Sequence, residues 1–330
     1  MNQAAKPTLS ATKSIQLLPR WITLPQDDTP ETVAFLSGAA LAMLDVVLRD
    51  PGGTLPAPLL RDRLAMDAAV ACLRLEGRSD SASDIRDAVC LARPVRLVRP
   101  VRLVRPERLG RAGDAYGPAG DMFVAWRRLA RVSLAAGGWT DRVRTVLPAA
   151  VADAMPDFGA PPGPPVAQAS RILADVLRQF PREEAAALML ADLTLARAVG
   201  WDRPVPLLAA HLPRKDIRAI ADGAGDPGPR VHLAMIAACD GAIRRAADLG
   251  RRAAKLQAIA PTLRAKGSDE ALAVFLSHDA VSPSGMLSPM IQGTSVPMTD
   301  RAARRFCDRL VELGVVRELT GRATFRLYGV

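Results

Sequence analysis

Asp300-Arg301-Ala302-Ala303-Arg304-Arg305-Phe306-Cys307-Asp308-Arg309-Leu310-Val311-Glu312-Leu313 is followed almost at once by two short β-prone runs, 315–319 and 324–328, joined by Thr320-Gly321-Arg322. The first stretch reads as an amphipathic helix. Ala302, Ala303, Phe306, Leu310 and Leu313 form one apolar stripe, while Arg301, Arg304, Arg305, Asp308 and Glu312 share the opposite face. The arginines on that face are N-terminal and the acids C-terminal, against the order the helix dipole favours, at a typical cost of ~0.3–1 kcal/mol each. A local rule broken on an exposed face is a place to look for function. Helix candidates at 269–277 and about 284–291 come before it. Three helices and then a hairpin is the order of a winged helix-turn-helix.

Residues 301–330 carry seven arginines against Asp308, Glu312 and Glu318. Recognition helices place their N-terminal residues in the major groove, where arginine is the commonest reader of guanine. Arg301, Arg304 and Arg305 on the helix, with Arg317, Arg322 and Arg326 on the hairpin, are therefore the DNA-binding candidates, and double-stranded DNA is the expected partner. Two alternatives stay open, because fold does not settle function. The winged helix could dock protein, as an adaptor, an antitoxin-like partner or a homodimer, or the rest of the chain could hold an enzyme.

Working back from this segment, the periodicity is helical nearly everywhere. Thr29-Pro30-Glu31 is a helix start, followed by Val33, Leu36, Ala40, Leu44 and Val47 at helical spacing and stopped by Pro51-Gly52-Gly53. Further helices are expected at 58–76, 83–92, 118–136, 141–155, 166–180, 182–199, 205–212 and 214–221. A long one is expected over 230–260, broken or bent near Gly241 and Gly250. The fold class expected is mostly α: a multi-helix body followed by a C-terminal winged helix-turn-helix with a short β-hairpin. The chain divides into an N-terminal tail (1–28), an N-terminal helical region (29–155), a Pro/Gly-rich linker (156–165), a central helical region (166–262) and the winged-helix domain (265–330).

The chain has 330 residues, 49% hydrophobic and 24% charged, with a formal net charge of +10. Residues 91–113 hold seven arginines and one glutamate, so most of the net charge sits in one segment. Within that loop, expected over 91–117, Arg93-Pro94-Val95-Arg96-Leu97-Val98 recurs at 99–104 and begins again at Arg105-Pro106. Proline every six residues forbids a continuous helix. Two readings compete, a basic arm that grips phosphates and a duplication tolerated in a surface loop; the identity of the units favours the second. No uninterrupted apolar run reaches the roughly 18 residues of a membrane span, and no secretory leader is recognisable. A cytoplasmic protein without membrane contact is expected. Cys72, Cys90, Cys239 and Cys307 are far apart and read as buried small residues.

Groups suited to catalysis are few. His211, His232 and His278 have no second histidine or cysteine at i+3 or i+4, and no phosphate-binding glycine loop or nucleophile elbow occurs. His232 and Cys239 could share a helix face, but their apolar neighbours point to core packing. No catalytic, cofactor-binding or metal-ligating set is assigned, and no cofactor is expected.

The stretch from Arg301-Ala302-Ala303-Arg304-Arg305-Phe306 to Leu310-Val311-Glu312-Leu313-Gly314, followed by 317–322 and Phe325-Arg326-Leu327-Tyr328-Gly329, resembles the ending of an alphaproteobacterial domain-of-unknown-function family common on plasmids. Ala34-Phe35 through Leu44-Asp45, Arg74-Leu75-Glu76-Gly77-Arg78, Gly117-Pro118-Ala119-Gly120 and Trp126-Arg127-Arg128-Leu129 look like the same family. The resemblance implies the fold and a role in regulating or maintaining a plasmid or other mobile element. It also implies that the basic repeat stands where relatives have a short Pro/Gly loop. The same ending is similar to the winged helix attached to some Fic-domain proteins. Arg74-Leu75-Glu76-Gly77 looks like the end of their inhibitory motif, but Cys72 replaces its Ser or Thr. The catalytic histidine loop of that superfamily is missing, which leaves nucleotidyl transfer without support.

Overall fold

The computed structural model describes residues 15–23, 29–49, 55–91, 116–155, 161–263, 265–322 and 324–330. The basic repeat, most of the N-terminal tail, Pro51-Gly52-Gly53 and residues 156–160 of the expected linker lie outside them.

A short α1 (Arg20–Thr23) leads to α2 (Pro30–Leu48), which starts where its sequence signals a cap. The Thr29 hydroxyl accepts from Thr32 N at 3.2 Å and Pro30 opens the first turn. α3 (Ala57–Leu75) ends at Gly77, whose φ of +80° lets Arg78 N reach back to Leu73 O at 2.8 Å. α4 (Ala82–Leu91) and α5 (Gly117–Leu129) pack together, and α5 also packs on α3, placing Phe123, Trp126 and Leu129 in the core. The helix expected over 141–155 is two, α6 (Trp139–Arg144) and α7 (Ala149–Ala154), because Pro148 cannot continue the first.

Beyond the Pro-rich stretch, α8 (Pro165–Gln179) and α9 (Glu184–Ala198) pair. Residues 205–212 do not form the expected helix. Pro204 and Pro206 disrupt its first turn, and the amides of Leu207 and Leu208 instead donate to the Asp192 carboxylate at 2.9 and 3.3 Å. Asp192 is fully buried, and burial pushes its carboxyl up to about 7 against the pull of those two amides. The folded chain thus holds this proton to a higher pH than the unfolded chain, whose aspartate titrates near 3.8. The stability this group contributes is present at low pH and lost as pH rises through about 7. Asp192→Asn, which keeps an acceptor but cannot ionise, should flatten the decline in urea midpoint between pH 4 and 7.

α10 (Arg214–Ala221) packs on α8 and precedes α11 (Gly228–Ile259), a 32-residue helix. The breaks expected at Gly241 and Gly250 do not occur. Gly241 serves close approach instead, since a Cβ there would lie 3.3 Å from the His211 ring. α11 packs along α2 and touches α3 and α8, so segments on both sides of the Pro-rich stretch share one continuous buried cluster from Leu18 to Val330. α2 is the one described helix long and apolar enough to cross a membrane. In this fold it lies against α11, with Val33, Leu36, Ala40, Leu41, Leu44 and Val47 buried.

The C-terminal segment has α12 (Ser268–Phe275), α13 (Asp300–Glu312), and a two-stranded antiparallel hairpin of β1 (Arg317–Glu318) and β2 (Tyr328–Gly329). The expected helix at 284–291 is a single π turn, Pro283–Leu287, with prolines at 283 and 289 limiting it. The strands are also shorter than expected. Tyr328 pairs with Glu318 on one side and with Val281 on the other, the latter through two backbone hydrogen bonds of 2.8 and 3.0 Å. Together these elements make a mostly helical protein with a small C-terminal hairpin.

Candidate nucleic-acid interface

α13 is held by its inner face. Ala303, Phe306, Cys307 and Leu310 are buried, and the Thr299 hydroxyl caps the first turn by accepting from Ala302 N at 3.3 Å. Asp300 accepts from the Ser284 hydroxyl at 2.6 Å and pairs with Arg304 at 2.7 Å, tying the helix start to the π turn. The outer face is exposed as its periodicity predicts: Arg301, Arg304, Arg305, Asp308, Arg309 and Glu312 all face solvent. Arg309 pairs with Glu312 at 3.1 Å. Arg301 and Arg305, one turn apart, have no hydrogen bond or ion pair among the described residues.

The three hairpin arginines are placed differently. Arg322 reaches Asp87 on α4 at 2.5 Å, so it is held against the rest of the chain. Arg326 donates to Arg322 O at 3.2 Å and stands 3.8 Å from Glu318. Arg317 is exposed on β1, close enough to Arg63 to act on it electrostatically. The structure therefore brings Arg301, Arg304 and Arg305 together, while Arg322 is held by Asp87 across the fold and Arg326 stands by Glu318 within the hairpin. Sequence reading missed Phe325, which is 74% exposed beside Arg326 with a left-handed φ of +57°, a strained backbone for an aromatic residue. Its position in an ordinary strand pattern gave no signal.

Behind the hairpin lies a charged seam that the sequence also concealed. Asp279, 4% exposed, sits between Arg63 Nε and Arg86 Nε, each at 2.5 Å. Arg86 is well aligned to donate, whereas the Arg63 Nε–H points off the line to the oxygen and its Nη2 donates to Val330 O at 3.1 Å. Burial lowers the Arg63 pKa, opposed by Asp279 and reinforced by Arg86, Arg245 and Arg317. Nearby, buried Asp62 accepts two 3.0 Å bonds from Arg131, which also donates to Ser277 O. Gly329 completes the seam, since a Cβ there would stand 2.8 Å from Asp279 O. α3, α4 and the turn that follows α5 thus grip the segment that carries α13.

The three histidines lie apart from α13 and from one another's hydrogen-bond partners, His232 beside Ser37 and His278 beside Ser277. Burial lowers the pKa of His211, His232 and His278 alike. Cys72 and Cys307 are buried with thiols pushed up to about 12, and half-buried Cys90 to about 11, which keeps them protonated and inert. Glu76 is exposed at the end of α3, beside the Gly77 stop.

The family profile described as Protein of unknown function (DUF1403) matches residues 6–101 and 106–330, nearly the whole chain. The chain belongs to the DUF1403 family. The gap between the two matched stretches of this DUF1403 chain, residues 102–105, covers the end of the second copy of the basic repeat and the first residue of its third start. No curated protein matches the chain.

Proposed function

We propose that residues 265–330 form a winged helix that contacts double-stranded DNA through the outer face of α13, without enzymatic activity of its own. The order α12, Val281 pairing, π turn, α13 and hairpin supports the winged-helix reading, because Val281, Tyr328 and Glu318 lie side by side as the three strand positions of such a domain. The connection over 288–299 departs from it, being far longer than the about 3–4 residues of a tight helix-turn-helix turn.

The observation that carries the DNA reading is the state of Arg301 and Arg305. Ion pairs engage just over half of the arginines among the described residues; Arg301 and Arg305 are among the exposed ones that have none, and they stand together at the N-terminal end of an outward-facing helix. Cations there oppose the helix dipole, and a phosphate or a guanine edge would relieve that conflict. Phe325 adds an apolar side chain at the wing, of the kind that packs on sugars or wedges into a minor groove. Arg322 and Arg326, held by Asp87 and Glu318, have a smaller share. Regulation or maintenance of a plasmid or other mobile element is the role that the family resemblance suggests.

The test is duplex binding by the whole chain as a function of salt. Two to four phosphate contacts should make log affinity fall against log salt with a slope of roughly −2 to −4. No detectable duplex binding at low salt, or affinity indifferent to salt, would end the proposal.

A further inference from the structure

Far from α13, a cavity of about 370 Å³ opens between the start of α2, one stripe of α8 and the N-terminus of α11. Ser170 lines it from α8. That residue is 2% exposed, and its hydroxyl has no hydrogen-bond partner. A buried hydroxyl left without a partner is costly, and native structures usually satisfy such groups.

Facing α8 is His232, in the second turn of α11. Its Nδ1 lies 2.5 Å from the hydroxyl oxygen of fully buried Ser37, and that hydroxyl donates its one hydrogen to Ala34 O. With the Ser37 hydrogen assigned to Ala34 O, Nδ1 carries the proton and Nε2 is an acceptor. Cations stand on the α8 side. Arg171 uses Nη1 on Pro162 O, leaving its other donors, and Arg178 uses Nη1 on Asp175. Each carboxylate at the cavity has one oxygen bonded, Asp175 by Arg178 and Asp226 by the amide of Gly228 at 2.9 Å, and Asp226 also acts on His232 electrostatically.

We infer that this cavity is a binding site for a small phosphate monoester, held between Arg171, Arg178 and the Ser170 hydroxyl on one side and His232 on the other. On the α8 side the free groups are donors, the remaining guanidinium N–H groups and the Ser170 hydroxyl, with the His232 ring across the cavity. A phosphate monoester in its monoanionic form offers that complement, with acceptor oxygens for the guanidinium and hydroxyl groups and one O–H for Nε2. A carboxylate has no hydrogen for the histidine. The site stands on residues remote from α13 and does not depend on the DNA reading.

With three histidines in the chain, ring resonances report the site directly. Inorganic phosphate is titrated into the full chain at constant ionic strength, with chloride as the balancing ion. The His232 ring signals should move saturably at millimolar phosphate, and the His232 titration midpoint should rise in the presence of Arg171, Arg178, Asp175, Asp226 and the bound anion. His211 and His278 should stay put. Ser170→Ala removes an unpartnered hydroxyl, so its melting temperature should hold while phosphate affinity falls about 3- to 10-fold, the loss of one hydrogen bond. Arg171→Ala with Arg178→Ala should abolish the response. A His232 signal unmoved by phosphate, or moved equally in the double arginine variant, would overturn the assignment.

Discussion

Replacing Asp279 by alanine is expected to lower the stability of the fold by about 3–5 kcal/mol, the cost of removing one partner from a buried ion pair. In a chain of this length that is a fall in melting temperature of roughly 4–7 °C. The cause is geometric. Asp279 is 4% exposed and neutralises Arg63 and Arg86 together, and Arg63 is also bound to the carbonyl of Val330. Without the carboxylate two half-buried guanidinium groups face each other, and the hairpin loses its anchor to α3 and α4. Asp248→Ala is the control. Its partners Arg251 and Arg252 are solvent-exposed or nearly so, and pairs of that kind contribute about 0–1 kcal/mol. Chemical denaturation of both variants distinguishes the cases. An Asp279 variant as mild as the Asp248 variant would mean that the seam does not hold the C-terminal segment in place.

The second large effect is on DNA. Arg301 and Arg305 lie one turn apart, exposed and unpaired, on the face opposite Phe306 and Leu310. If each reads a base edge, each should cost about 1–3 kcal/mol on the preferred duplex when changed to alanine, and each should relax preference at one position. Neither side chain touches the core, so the melting temperature should be unchanged. Arg322→Ala is expected to behave in the opposite way. Its guanidinium is committed to Asp87, so its loss should disturb hairpin docking more than DNA affinity. Selection from random duplex DNA provides the preferred site for these comparisons.

The helical body was legible in the sequence where a local rule governs. Thr29 and Pro30 announce α2, the 3.6-residue period sets the buried face of α13, and Gly77 ends α3. What escaped depended on partners distant in sequence. Nothing local to Asp279 says that Arg63 and Arg86 will close on it, and nothing near Leu207 says that its amide will seek Asp192 in place of a helix carbonyl. Gly241 reads as a helix break until His211 is seen packed against it. The same holds for the candidate site. The charged face of α13 follows from spacing alone, but which arginines stay free does not, because the acids that hold Arg322 and Arg304 are Asp87 and Asp300, one across the fold and one in the same helix. Ser37 and His232 likewise meet only through the packing of α2 on α11.

Contact between the outer face of α13 and DNA is tested by a side-by-side duplex titration of the parent and the Arg301→Ala, Arg305→Ala double variant over a range of salt. The folded double variant should bind the selected duplex more weakly by about 2–6 kcal/mol if the two contacts are additive, with its sequence preference lost. If those contacts are to phosphates, the salt slope instead becomes shallower by up to ~0.9 for each. A double variant with the parent's melting temperature that binds the same duplex as tightly, as selectively and with the same salt slope would contradict that contact.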